Sequence, residues 1–370
     1  MTRTFTMTVA IGALLLALPG RADAQRVPID VTATSDLGRE LRDVIREVTK
    51  GLTEGLGGLS ALANDGGAWS QGNSRNWSSQ VDDRQTRTLA IGATGTIEIK
   101  NLSGDVKVTA GGGRDAIVEI IRHARGRTDA DARLGLERVK ADIQVSGSRA
   151  VIRADYANER QSAYSVSIDM IISAPVGTRV SINSVSGDIA VSGVKGELSV
   201  KTISGDVTLT NVGTVLDAKT ASGSVTITGA AGDSALEVEA ISGDLTLKQV
   251  KARSIKASTV SGNISASDIS CETATFNALS GDASFAGDLA KNGRYEITSH
   301  SGDVHFTPTG PLGYSLNASS FGGDIHPPAG FQPDATASKR RRTVSGKVGD
   351  GSAAVNLQTF SGDITIGARK

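Results

Sequence analysis

From residue 180 onward, aliphatic and polar positions alternate with period two, and Ser-Gly followed by Asp, Asn, Ser or Lys interrupts the alternation at near-regular intervals. The serines are Ser186, Ser204, Ser222, Ser242, Ser261, Ser280, Ser301, Ser345 and Ser361, with Gly322-Gly323-Asp324 standing in for one copy. Successive steps are 18, 18, 20, 19, 19, 21, 21, 23 and 16 residues. Aligned on the glycine, one unit reads Val180, Ile182, Val185, then Ile189, Val191, Val194; the next reads Leu198, Val200, Ile203, then Val207, Leu209, Val212. Period two on both sides of a fixed turn predicts two short strands per unit. A unit this small buries only one thin face and must stack on its neighbours. An antiparallel meander would change its turn chemistry from one strand to the next. Here the whole unit recurs at one phase, so the pattern predicts an all-β fold, a single-stranded parallel β-helix (β-solenoid) of about ten coils. At ~3.3 Å per residue a coil has a perimeter near 60 Å, and at ~4.8 Å per step the stack is about 43 Å long.

The turn residues have a physical role. Gly187, Gly205, Gly243, Gly281, Gly302 and Gly362 supply positive φ or a close approach between coils. Asp188, Asp206, Asp244, Asp282, Asp303 and Asp363 can bond local backbone groups at the bend. Stacking places Asp188 over Asp206, and Asp282 under Asp303 and Asp324. Carboxylates ~4.8 Å apart repel by about 0.9 kcal/mol in water and several-fold more in a low dielectric, so this column must face solvent or a cation.

The unit also occurs early, as Ile97, Ile99, Leu102, Ser103-Gly104-Asp105, Val106 and Val108. Between it and Ser186 the pattern predicts a strand over 116–121, a charged helix from about Thr128 to Lys140, and strands around Ile143, Val151 and 166–172. This small excursion is expected to cap one end, because uncovered ends expose strand edges. Nearer the N-terminus, Leu37, Leu41, Val44, Ile45, Val48 and Leu52 share one helical face, with Arg39, Glu40, Arg42, Asp43, Arg46 and Glu47 opposite. Ahead of it, Arg3, an apolar run over 9–18 and Ala22-Asp23-Ala24 read as an export signal cleaved after Ala24, which directs the chain to the periplasm or exterior. The expected organisation is a signal peptide at 1–24, an amphipathic helical segment at 25–63 and a Gly/Ser/Asn-rich linker at 64–87 carrying Trp69 and Trp77. A first coil and capping region follow at 88–179, and the repetitive solenoid at 180–370.

Composition narrows the chemistry. Lys plus Arg and Asp plus Glu both number 39, so no overall field favours nucleic acid, and no nucleic-acid partner is expected. The apolar run of the signal is too short to cross a bilayer, and no later segment reads as a transmembrane anchor. With 44 glycines and 7 Phe, 4 Tyr and 2 Trp in 370 residues, the core must be built mainly from aliphatics. The single cysteine, Cys271, permits no intramolecular disulfide and has no histidine in register to activate it.

The segment Thr96-Ile97-Glu98-Ile99-Lys100-Asn101-Leu102-Ser103-Gly104-Asp105-Val106, the Ala174-Pro175-Val176-Gly177-Thr178 step and the serial Ser-Gly-Asp turns up to Ser361 make residues 88–370 resemble the bacterial putative-adhesin β-helix proteins, exported domains of unknown function. The resemblance implies a right-handed solenoid and an envelope location, and it brings no catalytic residue. The N-terminal helix, the linker and the basic run Lys339, Arg340, Arg341, Arg342 fall outside it.

Candidate sites are few. His305 and His326 align in one outward column one coil apart, which puts the ring origins ~5 Å from each other, and with Asp303 and Asp324 two residues before each they could share a divalent metal. Gly322-Gly323-Asp324 approaches a calcium-binding turn. Aromatics concentrate over 295–331 (Tyr295, His300, Phe306, Tyr314, Phe321, Phe331), where a break in the repeat would place any cleft. Stacked aspartates offer carboxylate pairs of glycosidase spacing, but identical pairs repeated along a column read as turn chemistry. The sequence therefore reads as a non-enzyme without cofactor, an exported adhesin-like scaffold for an envelope glycan or protein. The alternatives are a polysaccharide-binding or polysaccharide-cleaving β-helix protein and an envelope-stress regulatory partner.

Overall fold

A computed structural model describes residues 77–156, 163–311, 313–333 and 342–367. The signal segment, the amphipathic helix at 37–52, Trp69 and the basic run up to Arg341 lie outside the described residues. The described chain is all-β, one mixed 25-stranded sheet with a single helix. Its first elements are β1 (Ser79–Leu89), β2 (Thr96–Ser103), β3 (Val106–Gly111), β4 (Ala116–Gly126), α1 (Asp129–Arg138), β5 (Lys140–Ser146), β6 (Arg149–Asp155), β7 (Tyr164–Pro175), β8 (Arg179–Ser186) and β9 (Ile189–Ser192).

Each repeat unit gives one strand to each of two parallel ladders. In the first, β2 pairs with β8, and one register continues through Ser186, Ser204, Ser222, Ser242, Ser261, Ser280, Ser301 and Ser361. In the second, β3 pairs with β9, and Ile189, Val207, Val225, Leu245, Ile264, Ala283, Val304 and Ile364 form one row. Ile189, Val207 and Val225 point inward and are at most 1% exposed, facing the buried column Ile182, Val200, Ala218, Val238, Ala257, Phe276, Ile297 and Leu357. Period-two alternation thus becomes one thin, continuous aliphatic core.

The ends are antiparallel, which closes edges that would otherwise template aggregation. At the start β4 pairs antiparallel with both β1 and β7, while β5 pairs with β6. Thr128 caps α1: its hydroxyl accepts from the Asp131 amide and the Asp131 carboxylate accepts from the Thr128 amide, a reciprocal box. Gly135 lets α1 settle on Val166 and Tyr164 of β7.

Three expectations are corrected. The stretch 64–87 is not all linker, because β1 begins at Ser79. This strand has hardly an aliphatic residue and is held by backbone pairing and by ion pairs such as Arg122–Asp83 (2.5 Å) and Arg84–Glu119 (2.7 Å), so hydropathy alone hides it. Ser345-Gly346-Lys347 is not a coil turn. It lies in the strand Arg342–Val348, antiparallel to Tyr314–Ser320. Finally, spatial order departs from chain order. The strand Ala353–Ser361 pairs in parallel with both Ala283–Ser301 and Tyr314–Ser320, so the last repeat fills a place that the chain had passed over.

Candidate functional site: the corner ladder and the outward columns

The Ser-Gly-Asp corner is a backbone device. The Gly187 amide donates to the Ser204 carbonyl (3.1 Å), Gly205 to Ser222 (2.9 Å), and so on to Gly302 and Ser361 (3.1 Å). Each Asp or Asn side chain accepts from the amide at the same place in the following coil. Asp105 accepts from Asp188 (2.9 Å), Asp188 from Asp206 (2.9 Å), Asp206 from Ser224 (2.7 Å), Asp244 from Asn263 (2.7 Å) and Asn263 from Asp282 (2.9 Å). Asp282 accepts from Asp303, Asp303 from Asp363 and Asp363 from Asp324, each at 2.8 Å. Asp363 therefore sits between Asp303 and Asp324, which do not stack directly. Carboxylates are tolerated in a row because each meets an N–H dipole as well as water. Asp206→Ala is expected to cost about 1 kcal/mol in urea denaturation, as loss of a helix cap does, and Asp206→Asn less than about 0.5 kcal/mol, since Asn263 fills the same role. Equal losses in the two variants would contradict the ladder.

Just before the turn the sides are the reverse of what aliphatic alignment suggests. Ser184, Thr202, Thr220, Thr259, Ser299 and Thr359 point inward and are buried. Several of these hydroxyls donate to glycine carbonyls at the turn: Thr220 to Gly205 (3.3 Å), Ser299 to Gly281 (2.9 Å) and Thr359 to Gly302 (3.0 Å). The aliphatics beside them turn outward. Ser184, Thr202 and Thr220 share one row and Ser186, Ser204 and Ser222 another, which sets Val185, Ile203 and Ala221 in the outward row between them. The same row continues through Ile241, Val260, Leu279, His300 and Phe360. It ends in stacked rings, His300 on Phe360 (4.9 Å between centroids) and Phe360 on Phe321 (4.8 Å), and Phe321 is 74% exposed.

Of the other aromatics of 295–331, Phe331 is half-buried against the core and the rest are part of it. Tyr295 and Phe306 are fully buried and Tyr314 nearly so, packed with Phe276 and Phe285 at centroid distances of 5.3 to 6.4 Å. The Tyr295 hydroxyl donates to the Cys271 carbonyl (2.8 Å) and accepts from the Ala290 amide (2.7 Å). Burial pushes the Tyr295 and Tyr314 phenols and the Cys271 thiol up to about 12, which leaves Cys271 a poor nucleophile. His305 and His326 do not meet on adjacent rows. Each pairs with Thr365, which lies between them, because Ile364–Ile366 returns to the skipped place. Among the described residues no three His, Cys, Asp or Glu side chains gather as a metal site.

Two features were not evident in the sequence. His123 bridges Asp82 (2.9 Å) and Asp169 (3.2 Å), and Asp169 accepts from the Asp105 amide (2.9 Å), joining the cap to the base of the corner ladder. The bond to His123 holds the Asp82 carboxyl below its ordinary range. On the outward side of the first ladder, Lys219 pairs with Glu237 and with Glu239 (2.9 Å), and Lys256 with Glu237 (3.3 Å). Burial pulls the Lys219 ammonium down, but the bonds to Glu237 and Glu239 outweigh it and hold it above its ordinary value; burial pushes the Glu239 carboxyl up. A shallow depression of about 350 Å³ lies where Arg294, Glu296, Asn317 and Asn356 face outward. It holds a single carboxylate.

The sequence profile of the Toastrack DUF4097 family matches residues 68–247 and again 216–367. No curated protein matches the chain. Among solved structures, a putative lipid binding protein of Parabacteroides distasonis is 12% identical, with 78% of this chain and 97% of that one covered at a TM-score of 0.42. A putative adhesin of Bacteroides fragilis is also 12% identical, with the same coverages and a TM-score of 0.38. A putative adhesin of Parabacteroides merdae is 11% identical, again at 78% and 97%, with a TM-score of 0.38.

Proposed function

The chain belongs to the Toastrack DUF4097 family, and from that premise we propose that it is an exported, non-enzymatic interaction scaffold of the cell envelope. The observation that carries this reading is the outward row ending in His300, Phe360 and Phe321, a stack of half-buried rings whose outermost member, Phe321, is open to solvent. Exposed apolar groups of this kind mark contact sites, and aromatic anchors dominate the energetics of such contacts. Repetition along the stack adds avidity for repetitive partners without a deep pocket. In this reading the two ladders form a right-handed single-stranded parallel β-helix of about ten coils, the hand being the one the family resemblance implies. Export rests on the signal pattern at 1–24, and among the described residues no helix is long and apolar enough to cross a membrane.

Binding of the purified chain to isolated envelope fractions tests the proposal. Phe321→Ser and Phe360→Ser are each expected to weaken retention about tenfold or more while thermal unfolding stays near wild type. Retention unchanged in both variants would remove the platform from the function. A second reading, polysaccharide binding at the depression, is supported by the four polar side chains there, Arg294, Glu296, Asn317 and Asn356. On a glycan array it requires a hit abolished by Arg294→Ala and indifferent to Phe321→Ser. Cleavage is not supported there, since glycoside hydrolysis uses two carboxylates and the lining supplies Glu296 alone.

A further inference from the structure

Antiparallel pairing closes the parallel ladders, yet each ladder end still presents one outer edge, and three of these edges carry devices that keep strands from pairing further. At the start of the second ladder, β1 bears Asp82, Asp83, Arg84 and Arg87. The far end of that ladder is Ile325–His326, two residues followed by Pro327 and Pro328. The far end of the first ladder is Gln332–Pro333, two residues with a proline. The fourth edge is β5, which has seven residues, no proline and no bulge. Among the described residues it pairs with β6 alone, and no backbone bond joins it to any other element.

Ser146 and Arg149 flank a two-residue turn at Gly147 and Ser148, and the residues flanking such a turn form a hydrogen-bonded pair. Alternation then turns the backbone N–H and C=O groups of Lys140, Asp142, Gln144 and Ser146 toward β6, and those of Ala141, Ile143 and Val145 toward the open edge. The side chains of the same three residues lie on the core face, opposite the buried Ala154, Ile152 and Ala150. Ala141 and Ile143 are half-buried against the core and Val145 is 46% exposed, since no further strand covers them. A second β5 running antiparallel about Ile143 is complementary to the first. It sets Ile143 beside Ile143 and Ala141 beside Val145, so apolar meets apolar on the core face. On the other face Lys140 meets Ser146 and Asp142 meets Gln144, whose amide already donates to the Asp142 carboxylate within one chain (2.7 Å). The two Asp142 residues stand a diagonal apart, ~7–8 Å.

We propose that β5 is the interface of a homodimer, its open edge pairing antiparallel with β5 of a second copy about a two-fold axis at Ile143. An isologous pairing of this kind occupies both edges and closes, so the sheet stops growing at two chains. Phe321, at the other end of each stack, is left free. The pairing adds backbone bonds but little area beside the ~1,600 Å² of a standard interface, so association in the micromolar range or weaker is expected. This inference does not rest on the proposed function.

Sedimentation equilibrium of the purified chain from about 1 to about 500 µM tests it, with a monomer–dimer equilibrium expected inside that range. Val145→Pro removes an N–H that faces the open edge and leaves the bonds to β6 in place, so it should weaken dimerisation at least about tenfold while thermal unfolding stays near wild type. Ile143→Cys brings two thiols together with Cα atoms ~5.5 Å apart, within disulfide reach, and mild oxidation should link the two chains. The native Cys271 is buried and does not compete. Gln144→Cys, a diagonal away from its own copy, should link at least about tenfold more slowly. A monomer over the whole range overturns the proposal, as does a dimer that Val145→Pro leaves unchanged. Loss of the dimer in Val145→Pro without the Ile143→Cys link overturns the two-fold register, and species that keep growing past two chains overturn the closed pairing. If Val145→Pro unfolds, the Ile143→Cys link decides alone.

Discussion

Gly243→Ala is expected to abolish cooperative folding of the stack or to cost about 4–5 kcal/mol, at the top of the range for single substitutions. A Cβ at Gly243 would lie 1.9 Å from the Gly223 carbonyl oxygen, with φ at +148°, and the obstacle is backbone that cannot rotate away. Neighbours repeat the geometry: 2.1 Å at Gly262 against Gly243 and 2.0 Å at Gly281 against Gly262. A methyl group in this row would wedge two coils apart and strain the amide bonds from Gly223 to Ser242 and from Gly243 to Ser261. Since repeat arrays are stabilised by nearest-neighbour interfaces, a wedge in the middle should divide unfolding into two transitions. Urea denaturation followed by circular dichroism gives the answer, with Gly112→Ala as the control. Nothing lies within 4 Å of a Cβ at Gly112, so its change should stay within about 0.5 kcal/mol. A single transition with a loss below about 1 kcal/mol for Gly243→Ala would mean that the coils do not approach as described.

Lys219→Met is expected to cost about 3–5 kcal/mol at neutral pH, because it leaves the carboxylate of Glu239 buried and uncompensated. Glu237 keeps Lys256 as a partner and contributes less to the loss. The pH dependence has a definite sign. Burial already holds the Glu239 carboxyl above its ordinary value, and removing Lys219 raises it further. A group raised in the folded state favours folding while protonated in both states and loses that contribution as pH climbs through its folded pKa. The deficit of Lys219→Met should therefore be small at acid pH and grow toward neutrality. Adding Glu239→Leu should recover most of it, since an apolar replacement of a buried ion pair is often close to neutral. A deficit that is flat with pH, or a double variant as weak as the single one, would show that Glu239 is not the source.

Much of the architecture was legible because it is local and repeated. Alternation placed Ile189, Val207 and Val225 inside, the recurring Ser-Gly turn set the parallel register, and Thr128 with its acidic first turn marked α1. A second corner is faint in the sequence although it is equally regular: Gly193, Asn211, Gly229, Gln249 and Asp268 occur at one phase, each with positive φ between 51° and 77°. Mixed side chains at that corner conceal a shared backbone conformation that glycine alone would have announced. Aliphatic alignment gives the wrong side for Ser184 and Val185 for a related reason. Hydropathy sends the aliphatic inward, but strict alternation from Ile182 puts residue 184 inside and turns residue 185 out, and in several coils the inward hydroxyl donates to a glycine carbonyl of the turn.

The amino-acid order by itself determined the all-β class, the stacking period, the glycine row and the aliphatic interior, since each follows from spacing along a few neighbouring residues. Only the tertiary structure decided which coil lies next to which. The repeat of Ser361 fills the place between those of Ser301 and Gly323, and that one long-range pairing sets Thr365 between His305 and His326, joins Asp303 to Asp363, and lays Phe360 between His300 and Phe321. The reason is that identical turns make every coil an acceptable neighbour for every other. Local pattern fixes how two coils meet, and the closure of the whole chain selects the pair.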